Sequence, residues 1–112
     1  MAEGSTIIPD EVNVLTYDGI YVGTLTLVGA STQPIRIYLV QNLTDTQIDC
    51  NMDGSNVIHF ILPPGGFLLL DAGTNKGTPN TASIPQGYGA WVQASSTYPT
   101  LGQVNFSYWY AR

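Results

Sequence analysis

The clearest structural signal in the chain is residues 45–71, which read DTQIDCNMDGSNVIHFILPPGGFLLLD. Ile48, Cys50 and Met52 alternate with acidic and amide residues, so the two kinds of side chain are expected on opposite faces of a strand. The Asp-Gly-Ser run at 53–55 favours a turn. This part of the chain therefore predicts short strands that are separated by tight turns.

The rest of the chain repeats this pattern. The Pro-Pro-Gly-Gly run at 63–66 cannot continue a strand, because proline lacks a backbone donor and glycine adopts unusual backbone angles. The nearly continuous apolar run at 35–43 predicts a strand that is covered on both faces. Residues 72–87 form the one long loop, and no stretch combines helical periodicity with a cap. The predicted strands are 12–17, 20–28, 35–43, 45–53, 56–62, 67–71, 88–94 and 104–111.

About eight short strands indicate an all-β fold, a single-domain antiparallel β-sandwich of jelly-roll type. At 112 residues the chain has the length of one domain. Residues 1–11 are polar and without periodicity, which predicts an N-terminal arm, flexible or ordered only against a neighbour. The sandwich domain is then expected to span residues 12–112.

The charge content is unusually low and limits the possible partners. Charged residues make up 10% of the chain, against roughly a quarter in an ordinary soluble domain. Uncharged hydroxyl and amide groups are easier to desolvate than charged ones, so this composition favours a surface that a partner covers. The net charge is −5, and the only basic residues are Arg36, Lys76 and Arg112. We therefore expect no binding to nucleic acid or to an anionic membrane surface.

Neither secretion nor membrane insertion is expected. The N-terminus has no basic start and no apolar segment of the kind found in signal peptides. The longest apolar runs are too short to cross a bilayer. These features predict synthesis in a reducing cytoplasm.

The one cysteine and the one histidine are the only candidates for a nucleophile and base of the Cys–His type. If Gly54 and Ser55 form a two-residue turn, Cys50 lies opposite His59; if the turn is one residue longer, Cys50 lies opposite Ile58. In both cases Cys50 belongs to an apolar row, where burial raises the pKa of a thiol and makes it inert. His59 is then half-buried or pairs with an acidic residue, Asp49, on the surface.

Other kinds of chemistry find no support in the sequence. A single cysteine permits no internal disulfide and makes a thiolate metal site implausible. Asp45, Asp49 and Asp53 recur every fourth residue, and on a strand each such step spans roughly 13 Å, too far for the three to share one cation. We expect a protein that is not an enzyme and has no cofactor and no metal.

The aromatic residues point to a surface for a partner. On the last strand, alternation predicts that Trp109 faces away from the core and that the opposite row faces it: Val104, Phe106, Tyr108 and Tyr110. Trp91 is likewise out of phase with its apolar neighbours. A tryptophan outside the core is typical of an interface anchor. Two alternatives stay open: the loop at 72–87 folds over both indoles, or the indoles form a stacking platform for a sugar.

We add the apolar part of the arm, Ile7, Ile8 and Pro9, to Trp91 and Trp109 as the predicted partner interface. An arm of this kind gains order when it docks and so adds contact area at a seam between subunits.

The chain also resembles a known class of virion proteins. The polar arm, the runs MDGSN at 52–56 and ILPPGGFLLLD at 61–71, and the final strand GQVNFSY at 102–108 are similar to small proteins of tailed bacteriophages. The resemblance is to the decoration, or cement, proteins of phage heads, especially the jelly-roll staple proteins of epsilon15-like phages, and it extends diffusely over nearly the whole chain.

This resemblance implies a non-enzymatic structural protein on the capsid exterior, made in the host cytoplasm. Such a protein binds across joints between major capsid subunits and stabilises the head. The implied partners are the major capsid protein and further copies of the chain, as a homodimer or trimer. The alternative is a head-fibre, tail or receptor-binding module that recognises a surface glycan.

Overall fold

The computed structural model describes residues 6–72 and 83–111. Within them the chain forms nine strands and one 3-10 turn, and the all-β prediction is confirmed. The strands are β1 (Ile7–Pro9), β2 (Asn13–Thr16), β3 (Thr26–Ala30), β4 (Ile37–Asn42), β5 (Ile48–Asn51), β6 (Phe60–Leu62), β7 (Phe67–Asp71), β8 (Gly89–Ala94) and β9 (Gln103–Ala111).

The strands form two antiparallel sheets that pack as a sandwich, as predicted. In the five-stranded sheet, β1 and β2 both lie along one edge of β9, which is followed by β4 and then β7. The four-stranded sheet has the order β3-β8-β5-β6. The Tyr38 hydroxyl on β4 donates a hydrogen bond of 2.7 Å to the Gly89 carbonyl on β8 and so joins the two layers.

The strand pairs are nested within one another along the chain. β5 pairs with β6, β4 with β7, β3 with β8 and β2 with β9. Successive pairs alternate between the two sheets, so this part of the chain is a long antiparallel ribbon that winds around the core. Consequently, residues far apart in sequence meet on each face.

The core is made by the inner faces of the two sheets. Val40 and Phe106 of the five-stranded sheet and Ile48 and Val92 of the four-stranded sheet are completely buried. The rings of Tyr38 and Phe106 lie 5.2 Å apart between centroids, within the range of favourable aromatic contacts. The alternation of β9 therefore follows the sequence prediction.

Several strand predictions need correction. The strands predicted at 45–53 and 56–62 are shorter, because β5 ends at Asn51 and β6 starts only at Phe60. Strand β4 is buried only on its inner face; on the outer face Ile37 and Leu39 stay partly exposed, so the prediction that both faces are covered is wrong. The segment predicted as a strand at 20–28 becomes regular only at Thr26, the start of β3. Before that point Val22 makes one isolated parallel bridge to Ala94, because the chain is crossing from one sheet to the other.

Part of the predicted arm belongs to the five-stranded sheet. Ile7–Pro9 form β1 and pair with β9 of the same chain, so this part of the arm is ordered without a neighbouring molecule. After β1, the Asp10 backbone N–H donates to the Tyr108 carbonyl at 2.9 Å, and the Tyr108 hydroxyl donates to the Asp10 carboxylate. Residues 1–5 of the predicted arm lie outside the described residues.

Candidate partner interface

The outer face of the five-stranded sheet carries rows of apolar side chains. In an antiparallel pair, residues directly opposite each other point to the same face. The register places Pro9 opposite Trp109, and Trp109 opposite Ile37. The next row joins Leu39 to Leu69. We call the apolar residues of this face the outer patch: Ile7, Pro9, Val14, Ile37, Leu39, Phe67, Leu69 and Trp109.

The outer patch is large and nearly free of charge. Phe67 is 62% exposed and Leu69 is 53% exposed. Together the exposed apolar surface amounts to roughly 500 Å², the size of the largest patches on monomeric proteins, which are often functional. Among the strand residues that share this face, Asp71 is the only charged one. Removing water from such a surface costs little free energy, so the surface is suited to burial against another protein.

The structure brings together three of the five residues in the predicted interface. Ile7, Pro9 and Trp109 lie in the outer patch, with Pro9 directly opposite Trp109. Ile8 lies opposite Tyr110 and points to the inner side of the sheet. Trp91 lies on the outer face of the four-stranded sheet, opposite Leu27 on one side and Asn51 on the other. The two tryptophans therefore belong to opposite sides of the sandwich.

Both indoles are half-buried, and Trp91 is partly covered by its own chain. A Cβ atom on Gly54 would lie 3.2 Å from Cζ2 of Trp91, so the loop after β5 packs against this ring. Most of the loop proposed as an alternative cover, at 73–82, lies outside the described residues.

Much of the outer patch was not predicted from the sequence, including Phe67 and Leu69 on β7 and Val14 on β2. The sequence did show that Phe67 and Leu69 point to one face of β7 and that Leu68 and Leu70 point to the other. Both sets are apolar, so the sequence did not indicate which set would face the core. The structure answers this by packing Leu68 and Leu70 against the core.

Cys50 and His59 do not form a pair. Cys50 lies opposite Phe60, one residue beyond the register that a two-residue turn would give. Burial of Cys50 raises the pKa of its thiol to about 12, which leaves it protonated and unreactive near neutral pH. His59 Nδ1 instead accepts a hydrogen bond of 2.9 Å from the Met52 backbone N–H, and its Nε2 lies 3.9 Å from Oδ2 of Asp53, not Asp49.

The register of this hairpin is set by Asn51, which is fully buried. Its Nδ2 donates to the Val57 carbonyl at 2.6 Å, and its Oδ1 accepts from the backbone N–H groups of Asp53 at 3.0 Å and Gly54 at 2.6 Å. Gly54 has a φ of +83°, a left-handed conformation that favours glycine. The loop is therefore wider than a two-residue turn.

Comparison with known proteins does not place the chain in a family. No family model matches it, and no curated protein or solved structure gives a significant match. In the described part of the chain, no group of three or more His, Cys, Asp or Glu residues is placed to hold a metal ion. No helix within residues 6–72 and 83–111 has the length and hydropathy of a membrane span.

Proposed function

We propose that this chain is a structural component of a virion, a decoration protein that docks on the exterior of a phage head and stabilises it. The observation that carries this proposal is the outer patch. An uncovered apolar sheet face of this size promotes aggregation of a free monomer, whereas in an assembly it stabilises the contact that covers it. The partner that we propose for it is the major capsid protein, contacted where two of its subunits join.

The size of the outer patch is adequate for docking. Covering roughly 500 Å² of apolar surface contributes on the order of 12 kcal/mol before the costs of association are subtracted. A stable interface buries about 800 Å² on each partner. The outer patch thus supplies the apolar centre of such an interface, and the hydroxyl and amide groups of Thr16, Gln41 and Asn105 on the same face supply its polar part.

The nested strand pairing supports the same class of protein. A ribbon that winds between two four-membered strand sets, β2-β9-β4-β7 and β3-β8-β5-β6, is the arrangement we expect of a jelly roll. Viral capsid domains are among the proteins that use this architecture. Architecture alone does not assign a function, so this point supports the proposal without carrying it.

Self-association is the second part of the proposal. A capsid presents many identical joints, and a two-fold dimer or a trimer of a small protein contacts a joint at several points at once. Several modest contacts then give tight attachment through effective concentration. The native mass of the purified protein tests this part independently of capsid binding.

The direct experiment is co-sedimentation with undecorated phage shells. We expect the full chain to sediment with the shells at about micromolar concentration and to raise the temperature at which they open. Mature, already decorated shells are the control, since their sites are occupied. A chain that stays in the supernatant with undecorated shells would contradict the proposal.

A further inference from the structure

A cleft of about 370 Å³ lies on the opposite side of the sandwich from the outer patch, over the four-stranded sheet. Its lining residues are Gly23, Thr24, Leu25, Asn56 and Gln93. Gln93 on β8 forms the floor, the segment before β3 forms one wall, and the loop between β5 and β6 forms the other. We propose that this cleft binds a neutral saccharide unit.

The Gln93 amide is held in a defined orientation. Its Nε2 donates to Oδ2 of Asp49 at 3.1 Å. The other carboxylate oxygen, Oδ1, accepts from the Ser95 hydroxyl at 2.5 Å. Because an ionised carboxylate only accepts hydrogen bonds, the amide nitrogen and not the oxygen must face Asp49. The Gln93 carbonyl oxygen and its second N–H are left to serve as an acceptor and a donor for a ligand hydroxyl.

Two further polar groups in the cleft are available to a ligand. Within residues 6–72 and 83–111, neither the Asn56 amide nor the Thr24 hydroxyl makes a hydrogen bond. An amide offers a donor and an acceptor, and a hydroxyl offers both on one atom. Sugar hydroxyls need this mixture of uncharged donors and acceptors, since each of them both gives and receives hydrogen bonds.

Trp91 lies close to these polar groups, although it is not one of the five lining residues. It lies two residues before Gln93 on the same face of β8, which places the two Cα atoms roughly 7 Å apart. The Trp91 ring is steadied on one side by Gly54, two residues before Asn56 in the loop that walls the cleft. An aromatic ring within reach of amide and hydroxyl groups is a combination that small-ligand sites use.

The charges argue for a neutral ligand. The five lining residues carry no charged side chain, and the Asp49 carboxylate that orients Gln93 lies opposite it on the neighbouring strand β5, outside the lining. The chain as a whole has a net charge of −5, which repels anionic sugars. A neutral hexose or N-acetylhexosamine unit avoids this repulsion and still satisfies the amide and hydroxyl groups.

This inference does not depend on capsid binding. The cleft and the outer patch lie on opposite outer faces of the sandwich, so a chain docked through the outer patch keeps the cleft open to solvent. Binding of a saccharide and binding to a shell can therefore each fail without affecting the other.

The test is a titration of the isotopically labelled full chain, followed by NMR. The probes are neutral oligosaccharides built from glucose, galactose, mannose, rhamnose and N-acetylglucosamine, and one sialylated oligosaccharide. We expect the indole N–H signal of Trp91 to shift with at least one neutral probe, while that of Trp109 stays in place. Gln93→Ala should weaken this binding by about tenfold or more.

Two matched variants complete the design. Asn56→Ala changes an exposed loop residue and should weaken binding without affecting the fold. Gln41→Ala removes the same side chain from the outer face of β4 on the other sheet and should leave binding unchanged. The inference is overturned if no neutral probe moves the Trp91 signal at about 10 mM, if Gln41→Ala weakens binding as much as Gln93→Ala, or if the sialylated probe binds best.

Discussion

Replacing Leu69 by serine should weaken docking to the shell, whereas replacing Ile61 by serine should not. Both residues lie on edge strands, on the outer faces of their sheets, and both are 53% exposed. They differ in that Leu69 belongs to the outer patch and Ile61 faces the opposite side of the sandwich. The pair therefore separates a specific contact from a general loss of surface hydrophobicity.

The expected effect follows from the area that docking covers. Leu69 leaves roughly 90 Å² of apolar surface exposed, and covering it contributes about 2 kcal/mol, so its loss weakens binding by about thirtyfold. For Ile61→Ser we expect a change within about twofold, because that side chain stays in water in the bound state.

The assay is a binding isotherm measured by sedimentation of labelled protein with undecorated shells. Urea unfolding of both variants is the control, and each should lie within about 1 kcal/mol of the parent chain, because the changed side chains are already half in water. Equal losses of binding for the two variants, or a larger loss for Ile61→Ser, would refute the assignment of the outer patch as the docking face.

Further predictions concern stability and reactivity. Asn42→Ala should lower the free energy of unfolding by about 3 kcal/mol in urea, because the buried Asn42 amide donates to three carbonyls and accepts two hydrogen bonds; a loss below about 1 kcal/mol would contradict this. Iodoacetamide should label Cys50 only after unfolding, because the thiol is buried. Labelling of the native protein at a rate near that of a free thiol would contradict this burial. Folding raises the pKa of the Cys50 thiol from 9.0 to about 12. The contribution of this thiol to the free energy of unfolding is therefore complete below pH 9 and declines by about 1.4 kcal/mol per pH unit above pH 9. Burial also raises the pKa of Tyr38, which steepens the decline beyond pH 10. Cys50→Ala should flatten the profile between pH 9 and 10, and an unchanged profile would refute this cause. Tyr108→Phe removes the hydroxyl that donates to Asp10 and should speed hydrogen exchange in β1 while β4 stays protected; equal acceleration in both would indicate general destabilisation.

The fold class could be predicted because the alternation of apolar and polar residues along a strand is visible in a short stretch of sequence. On β9, Val104, Phe106 and Tyr108 alternate with polar residues, and the structure buries these three as expected. The inert character of Cys50 was also predictable, since its apolar neighbours in the sequence become its neighbours in the core. The turn at 63–66 and strand β7 follow from proline, glycine and a run of leucines in the same way.

The register of the hairpin around Cys50 could not be predicted from the local sequence. Its register depends on how many residues the loop after β5 uses, and that number follows from the hydrogen bonds of the buried Asn51 amide. An asparagine looks the same in the sequence whether its amide points to solvent or organises a loop. The sequence therefore left two registers open, and the structure has a third.

The candidate interface was partly visible in the sequence and completed only by the tertiary structure. The sequence alone determined that this is an all-β chain of low charge with Trp109 out of phase with its core. It did not determine that Trp109 meets Pro9, Ile37 and the β7 residues on one face while Trp91 lies on the other side. Strands β4 and β7 are apolar on both faces, so period-two alternation gives no preference, and the choice falls to the single packing of two sheets that covers one face of each strand and leaves the other exposed.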